Sequence, residues 1–186
     1  MSFLPNDYQI PSSGGRYFKL QPGENRLRIL DSPAMGYEYW VVDASGKRSP
    51  VRRPMGHRFD REELEGSADA QAPKHFWAMP VWSYRDNAVM VWEATQKSVI
   101  KAIRDYVADD DWSNPREYDF VVTRSGEGME TEYAVKPKKP TDLPEAAAAA
   151  WLDVRASGFD LRELFDGGDP FQASEEILIE DIAVPE

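Results

Sequence analysis

The sequence predicts an all-β protein, rich in strands with minor α structure, and three observations favour this fold class. Short runs of alternating apolar and polar residues recur, and NRLRIL at 25–30 is typical because Leu27 and Ile29 alternate with two arginines. Gly, Pro, Asn and Asp separate these runs at short intervals, as tight turns require. Only two longer segments have helical character, one near residues 96–108 and one that follows Pro144.

The first part of the chain alternates strands with turns. Three strands are predicted here, at 16–20, 25–30 and 36–42. The first two flank QPGE, which reads as a turn. Residues 44–54 predict a loop or a loose hairpin rich in Gly, Pro and cations. Residues 57–73 are polar and predict a long excursion with one helical turn at 60–65.

Two hairpins follow. HFWAMPVWSYR and AVMVWEA are joined by Asp86 and Asn87, which suit a tight turn. Pro80 inside the first strand predicts an edge strand or a bulge, because proline has no N–H to donate to a neighbouring strand. The last hairpin, 116–126 with 129–140, turns at Glu127 and Gly128.

The predicted helix between these hairpins spans 96–108, with Thr95 as its cap. Val99, Ile103 and Val107 recur at i, i+4 and i+8, with Ile100 beside them, and form an apolar stripe.

This order of elements predicts a small antiparallel barrel with one helix between its third and fourth main strands, which is the OB-fold. Extra hairpins and a C-terminal helix with Gly158 just past its end would be additions to it. A β-sandwich with an inserted helix fits the same order and stays open. The predicted parts are an N-terminal arm (1–15), the OB-fold domain (16–141), a C-terminal helical segment (142–166) and an acidic, disordered tail (167–186).

The net charge of -11 is distributed unevenly over the 186 residues. Residues 1–141 hold 20 Lys and Arg against 21 Asp and Glu, whereas residues 142–186 hold 2 against 12. Within the near-neutral body, Lys47 to Arg58 contains five cations and no acid. Basic patches on a neutral body, with a separate acidic end, are compatible with an anionic partner for the body.

Several function classes are disfavoured by the residues themselves. The chain has no Cys and two His, so no disulfide, thiolate nucleophile or metal site is predicted. No phosphate-cradling GxxxxGK[ST] loop and no GxSxG nucleophile motif occurs. The acidic run 109–111 would suit a metal-dependent nuclease, but its place at a helix end is typical of solvated carboxylates. We predict no enzymatic activity, no catalytic residue and no cofactor.

The longest apolar run, AAAAAWL at 146–152, is too short to span a bilayer, and the N-terminus lacks a signal sequence. A soluble cytoplasmic protein with no membrane partner is expected.

Aromatic residues in the strands are the main candidates for a binding site. Consecutive strand residues point to opposite faces, so Phe76 and Trp77 cannot both face a core, and neither can Tyr39 and Trp40. One ring of each pair must face outward or lie under the excursion at 57–73. Exposed rings beside cations bind single strands without sequence preference, and each stacked base contributes roughly 1–3 kcal/mol.

The predicted DNA-binding residues fall into two groups. Base stacking is assigned to a subset of Tyr37, Tyr39, Trp40, Phe76, Trp77, Trp82 and Tyr84. Phosphate contacts are assigned to Lys47, Arg48, Arg52, Arg53, Lys74 and Arg85. A second basic patch, Lys136, Lys138 and Lys139, fits a binding role and a solubilising role equally well.

Several segments together resemble a known family. GGRYFKLQPGENRLRIL, GYEYW, KHFWAMPVW, VWEATQKSVIKAI, YDFVVTRSGEGMETEY and VKPKKP, in this order, resemble the OB-fold single-stranded DNA-binding proteins encoded by tailed phages. The resemblance covers roughly residues 14–165. It implies binding and protection of single-stranded DNA during phage DNA replication, recombination or repair in the host cytoplasm. It also implies an acidic C-terminus that contacts replication or recombination proteins. Some members carry a Cys/His zinc site, which this chain cannot form.

The predicted function is therefore sequence-independent binding of single-stranded DNA. The alternative is a protein-interaction module of a replication or recombination complex that acts through its acidic tail.

Overall fold

The computed structural model describes residues 16–67 and 72–172. The predicted N-terminal arm, and the predicted tail beyond residue 172, lie outside this part of the chain.

Strands dominate the described residues, which confirms the all-β prediction. Seven strands form one antiparallel sheet: β1 (Gly23–Ile29), β2 (Ala34–Val42), β3 (Arg48–Pro54), β4 (Lys74–Ser83), β5 (Ala88–Ala94), β6 (Asp119–Ser125) and β7 (Glu132–Pro137). The α-helices are α1 (Arg61–Glu65), α2 (Lys97–Val107) and α3 (Glu145–Ala156). Short 3-10 turns lie at Asp110–Trp112, Gly128–Glu130 and Leu161–Asp166.

The sheet branches at β4. One edge of β4 pairs with β5, while the other edge pairs first with β2 and then with β1. β3 extends the β2 branch, and β6 and β7 extend the β1 branch. The strand pairs among the described residues do not include β5 with β7, so a closed barrel is not confirmed. All seven strands share one sheet, which differs from the two separate sheets of a sandwich.

The branch explains how Pro80 fits inside β4, where the predicted edge or bulge is wrong. Pro80 lies opposite Val91 of β5, whose own N–H and carbonyl bond to Arg16 and Phe18 on the far side. The nitrogen of Pro80 therefore points away from β5, to the edge of β4 that pairs with β2 and β1. Along that edge, Pro80 lies between the residues paired with β2 and the residues paired with β1. No hydrogen bond between strands is lost through the missing N–H, because Pro80 is paired with neither β2 nor β1. The Pro80 carbonyl accepts a hydrogen bond of 2.9 Å from the Leu30 N–H.

Helix α2 covers one face of the sheet and forms the main core. Val99 and Ile103 are buried against strand residues that include Met79, Val81 and Phe120. The predicted stripe ends there, because Val107 is exposed on the last turn. The N-cap is Gln96 and not Thr95, and its side chain makes no capping bond.

The C-terminal segment covers the opposite face. Trp151 of α3 packs in a cluster with Trp82, and Leu164 of the last 3-10 turn packs in a cluster with Phe76. Gly36 in β2 makes room here, since a Cβ at this position would lie 3.0 Å from the Phe165 ring and 2.2 Å from the Arg53 carbonyl oxygen. Both faces of β4 are therefore covered over most of its length.

The packed C-terminal segment is longer than predicted. Pro170 is buried, and the Phe171 ring lies 5.0 Å from the Phe159 ring, centroid to centroid. Residues 167–172, predicted as the start of a disordered tail, belong to the folded body.

Candidate nucleic-acid interface

Three of the predicted stacking rings are core residues. Phe76 is 0% exposed and Trp82 is 3% exposed, because both point to the face that α3 and the 161–166 turn cover. Tyr39 is 8% exposed and meets the Phe59 ring edge-on at 4.8 Å. The excursion after β3 therefore covers Tyr39, as one of the two predicted outcomes required. The prediction that these rings stack on bases is corrected here.

Tyr84 and Arg85, which directly follow the C-terminal (last) end of β4, form contacts with other parts of the chain. The Tyr84 hydroxyl donates to Asp119 at 2.9 Å, and the Arg26 guanidinium lies 4.3 Å from the Tyr84 ring centroid. Arg85 donates to the Asn25 side chain, the Lys19 carbonyl and Asp86. Both side chains therefore already have partners, although the Arg85 side chain is still 43% exposed.

Trp40 lies where the β2–β3 hairpin extends beyond β4. The pairing of β2 with β4 ends at Glu38 and Lys74, whereas its pairing with β3 continues to Val42 and Arg48. Among the residues that the structure describes, no strand pairs with this half of the hairpin on the β4 side, and the Trp40 ring is partly exposed.

A cleft of about 950 Å³ opens beside this half of the hairpin, and we call it the hairpin cleft. Its lining includes Tyr17, Lys19, Trp40, Arg48, Pro50, Arg52 and Glu93. The Tyr17 and Trp40 rings are partly exposed, and Lys19 and Arg48 are exposed cations. The Arg48 guanidinium lies 5.9 Å from the Trp40 ring centroid. Lys47 is exposed next to Arg48, just before β3 begins. Rings and cations thus occur together in one concave surface.

Arg52 lies at the floor of the hairpin cleft and is neutralised there. Its guanidinium lies 3.1 Å from Glu38 and 2.8 Å from Glu93, and all three side chains are at most 18% exposed. Burial raises the pKa of Glu93 above its ordinary value, and Arg52 opposes that effect. Because two carboxylates already hold Arg52, its predicted role as a phosphate contact is corrected to a structural one.

Burial also raises the pKa of Tyr17, and the negative charge of Glu93 adds to the effect. The Tyr17 phenol is therefore neutral across the physiological pH range and presents an uncharged ring to the cleft.

The other face of the hairpin carries Tyr37 and Arg53. The Tyr37 ring lies 5.2 Å from the His75 ring, centroid to centroid. Arg53 forms an ion pair with Glu63 of α1 and lies 5.4 Å from the Phe59 ring centroid. The excursion after β3 thus engages Arg53, although the Arg53 side chain is still 39% exposed.

A second cleft, of about 670 Å³, lies between the start of β4 and helix α2, and we call it the helix groove. Its lining includes Lys74, His75, Thr95, Lys97, Lys101 and Arg104. Trp77, two residues along β4, is partly exposed and donates from its indole N–H to His75 at 3.1 Å. Of the predicted residues, Lys74 lines this groove, and Trp77 adjoins it through its bond to His75.

The sequence analysis missed five site residues, and two signals were present. Tyr17 and Lys19 alternate within RYFKL, so they share one side of an extended segment. Lys97, Lys101 and Arg104 recur at i, i+4 and i+7 and therefore share one face of α2.

The second predicted basic patch lies apart from the two clefts. Lys136, Lys138 and Lys139 are exposed at the end of β7 and do not line either cleft. Within residues 16–67 and 72–172, no three His, Asp or Glu side chains are grouped as a metal site would require. In the same residues, no helix has the length and apolar character needed to cross a membrane.

Comparisons of the chain with protein-family models, with curated proteins and with solved structures find no match. The resemblance to phage single-stranded DNA-binding proteins therefore stays a prediction, and support for a function comes from the geometry and charge of the two clefts.

Proposed function

We propose that this protein binds and protects single-stranded DNA without sequence preference and without catalysis, on an OB-like barrel. The strand order β5-β4-β1-β6-β7, with α2 between β5 and β6 along the chain, supports this assignment. An OB-fold has five strands, is partly open, and takes single strands on its second and third strands and on the loops that flank them. In this correspondence β1, β4, β5, β6 and β7 are the five barrel strands.

The β2–β3 hairpin then lies in the connection between the first and second barrel strands, which is one of the binding loops of this fold. The outward face of β4 and β5 is not accessible, because α3 and the last 3-10 turn cover it. The connection that carries Trp40 is consequently the accessible part of the expected interface.

The observation that carries the proposal is the partly exposed Trp40 ring in the hairpin cleft, flanked by Lys19 and Arg48. At about 950 Å³, the cleft is near the upper end of the 300–1,000 Å³ typical of ligand pockets. Stacking on Trp40 would accept any base, because every base has a π face, and the cations would follow the phosphates.

The chemistry of the cleft floor favours binding without sequence preference. Base reading needs polar groups that are free to bond base edges. At the floor, Arg52 already donates to Glu38 and Glu93, so stacking and phosphate contacts supply the recognition.

Substitution of Trp40 tests this proposal directly. We expect Trp40→Ala to weaken binding of a fluorescently labelled oligothymidine by about 1–3 kcal/mol, measured by anisotropy, because one stacking surface is lost. Trp40→Phe should retain most of the affinity, since it keeps a flat ring. Trp112 provides the matched control, because it is also partly buried but packs against Tyr118 at 5.0 Å, outside both clefts.

Trp112→Ala should lower the melting temperature and leave the affinity of the folded protein unchanged. Equal affinity of Trp40→Ala and wild type would contradict the assignment of Trp40. Competition with duplex DNA and with oligouridine identifies the preferred nucleic acid. Failure of wild type to bind any of the three would support the alternative, an interaction module for other proteins.

A further inference from the structure

Among the described residues, the cations of the helix groove outnumber the carboxylates that pair with them. Lys101 and Arg104 both pair with one carboxylate, Asp105, at 2.5 and 2.8 Å. In the same part of the chain, Lys74 and Lys97 have no ion-pair partner. A concave surface with such an excess of cations is a favourable place for an anion.

The His75 ring lines the same groove, and the Trp77 ring is hydrogen-bonded to it. The His75 ring makes a hydrogen bond of 2.8 Å between Nδ1 and the Gly36 carbonyl, so Nδ1 carries the hydrogen and donates it. Nε2 then accepts from the Trp77 indole N–H. These two bonds fix the orientation of both rings, so a base that contacts them would not have to order them first.

Lys74 lies between the helix groove and Trp40. It lines the helix groove and lies opposite Glu38 in the β2–β4 register, on the same side of the sheet as Trp40, which is two residues further along β2. Two residues along a strand and one strand across amount to roughly 8 Å between the Cα atoms of Lys74 and Trp40. A strand that stacks on Trp40 therefore needs to extend only a short distance to reach the helix groove.

We infer that the helix groove is a second phosphate-binding segment of the same interface. One DNA strand stacks on Trp40, passes Lys74, and continues along the face of α2 that carries Lys97, Lys101 and Arg104. This inference rests on the proposed function and assigns to it a second set of residues and a longer covered stretch of DNA. The His75 and Trp77 rings, and the short distance from Lys74 to Trp40, favour a nucleic acid over an acidic peptide in this groove.

Oligonucleotides of two lengths separate the two segments. Site sizes for such folds run from about 4 to 16 nucleotides, so we choose oligothymidines of about 4 and 16. The test variant is Lys97→Glu/Lys101→Glu. The matched control is Lys138→Glu/Lys139→Glu, which changes the net charge equally at exposed lysines outside both clefts.

With the longer oligonucleotide, we expect the test variant to bind more weakly than the control. Its log-affinity against log-salt slope should be smaller in magnitude by about 1.4, since each lost phosphate contact removes about 0.7. With the shorter oligonucleotide, which fits the hairpin cleft alone, the two variants should bind equally. Lys97→Gln/Lys101→Gln should show the same length dependence, which separates loss of contacts from repulsion, and melting curves verify that each variant is folded.

Equal binding of test and control variants to the longer oligonucleotide would overturn the inference while leaving the hairpin cleft intact. Failure of wild type to bind either length would instead overturn the proposed function. Oligoglutamate of matched length is the probe for the competing ligand class. If wild type binds it more tightly than the longer oligothymidine, and Lys97→Glu/Lys101→Glu abolishes that binding, the groove is a peptide site and the inference is wrong.

Discussion

The two ends of β4 carry similar residues and differ in what surrounds them. Its first end presents Lys74, His75 and Trp77, which are exposed or partly exposed beside the two clefts. Its last end runs through Trp82 into Tyr84 and Arg85, where the Trp is buried and the other two side chains are bonded to distant residues. Trp, cations and a polar ring occur at both ends, yet Trp77 at the first end is partly exposed whereas Trp82 at the last end is buried.

The difference comes from the partners that the rest of the chain supplies. At the last end, the buried carboxylate of Asp119 accepts from Arg26, Arg28 and the Tyr84 hydroxyl. At the first end, α2 brings more cations, and Asp105 is the carboxylate that pairs with two of them. The role of a ring or cation therefore depends on its partners and its exposure, and not on its type alone.

Removal of the carboxylate at the last end should give the largest effect. Arg28 and Asp119 are each 1% exposed and lie 2.6 Å apart, Nε to Oδ1. Asp119→Ala leaves a buried guanidinium without its partner, so we expect a loss of about 3–5 kcal/mol in the free energy of unfolding, measured with urea. The structural role assigned to the last end of β4 is wrong if Asp119→Ala weakens DNA binding of the folded protein without changing its free energy of unfolding.

Neutralising cations at the hairpin cleft should change binding and hardly change stability. We expect Lys19→Gln/Arg48→Gln to reduce the magnitude of the salt slope for oligothymidine by about 1.4, because two phosphate contacts are lost. Arg85→Gln is the contrasting variant at the last end of β4 and should leave the slope unchanged. Equal salt slopes for wild type, Lys19→Gln/Arg48→Gln and Arg85→Gln would show that the cations of the hairpin cleft do not contact phosphates.

The smallest expected effect is a change in the pH dependence of stability when Glu93 is substituted. Burial raises its pKa, so the folded state favours the protonated form more than the unfolded state does. The stability from this group is complete below its unfolded pKa and is lost as the pH rises through its folded pKa. The free energy of unfolding of Glu93→Gln should therefore decline less than that of wild type between acidic and neutral pH, as urea titrations at several pH values would measure.

Glu93→Gln should also bind DNA more tightly at neutral pH, because the substitution removes a negative charge from the cleft that receives phosphate. A variant with wild-type affinity at neutral pH would indicate that the strand does not approach the cleft floor.

Much of the fold was predictable because it rests on local patterns. Alternation and turn residues predicted β2, the β4–β5 hairpin, the β6–β7 hairpin and both longer helices. Pro80 was misread because its tolerance depends on a change of strand partners, which no local pattern contains. The parallel bridge between Tyr17 and Val91 likewise joins residues far apart in sequence, so the role of RYFKL was not visible.

The candidate site was predictable only in part for the same reason. Trp40, Arg48 and Lys74 lie close together along the β2–β3 hairpin and the start of β4, and sequence reasoning selected all three. Phe76 and Trp82 were also selected, but Leu164 and Trp151 cover them from far along the chain. Whether an aromatic residue in a strand can stack on a base or is buried in the core therefore depends on the C-terminal segment that packs over the sheet.

The C-terminal cover also determines where the chain can be shortened. A chain ending at residue 141, the predicted limit of the barrel domain, would lose Trp151 and Leu164 and would leave the Trp82 and Phe76 rings facing water. A contiguous apolar area of that kind promotes self-association. Deletions meant to probe the acidic terminus should therefore begin after Gln172, so that the Phe171 ring keeps its place against Phe159.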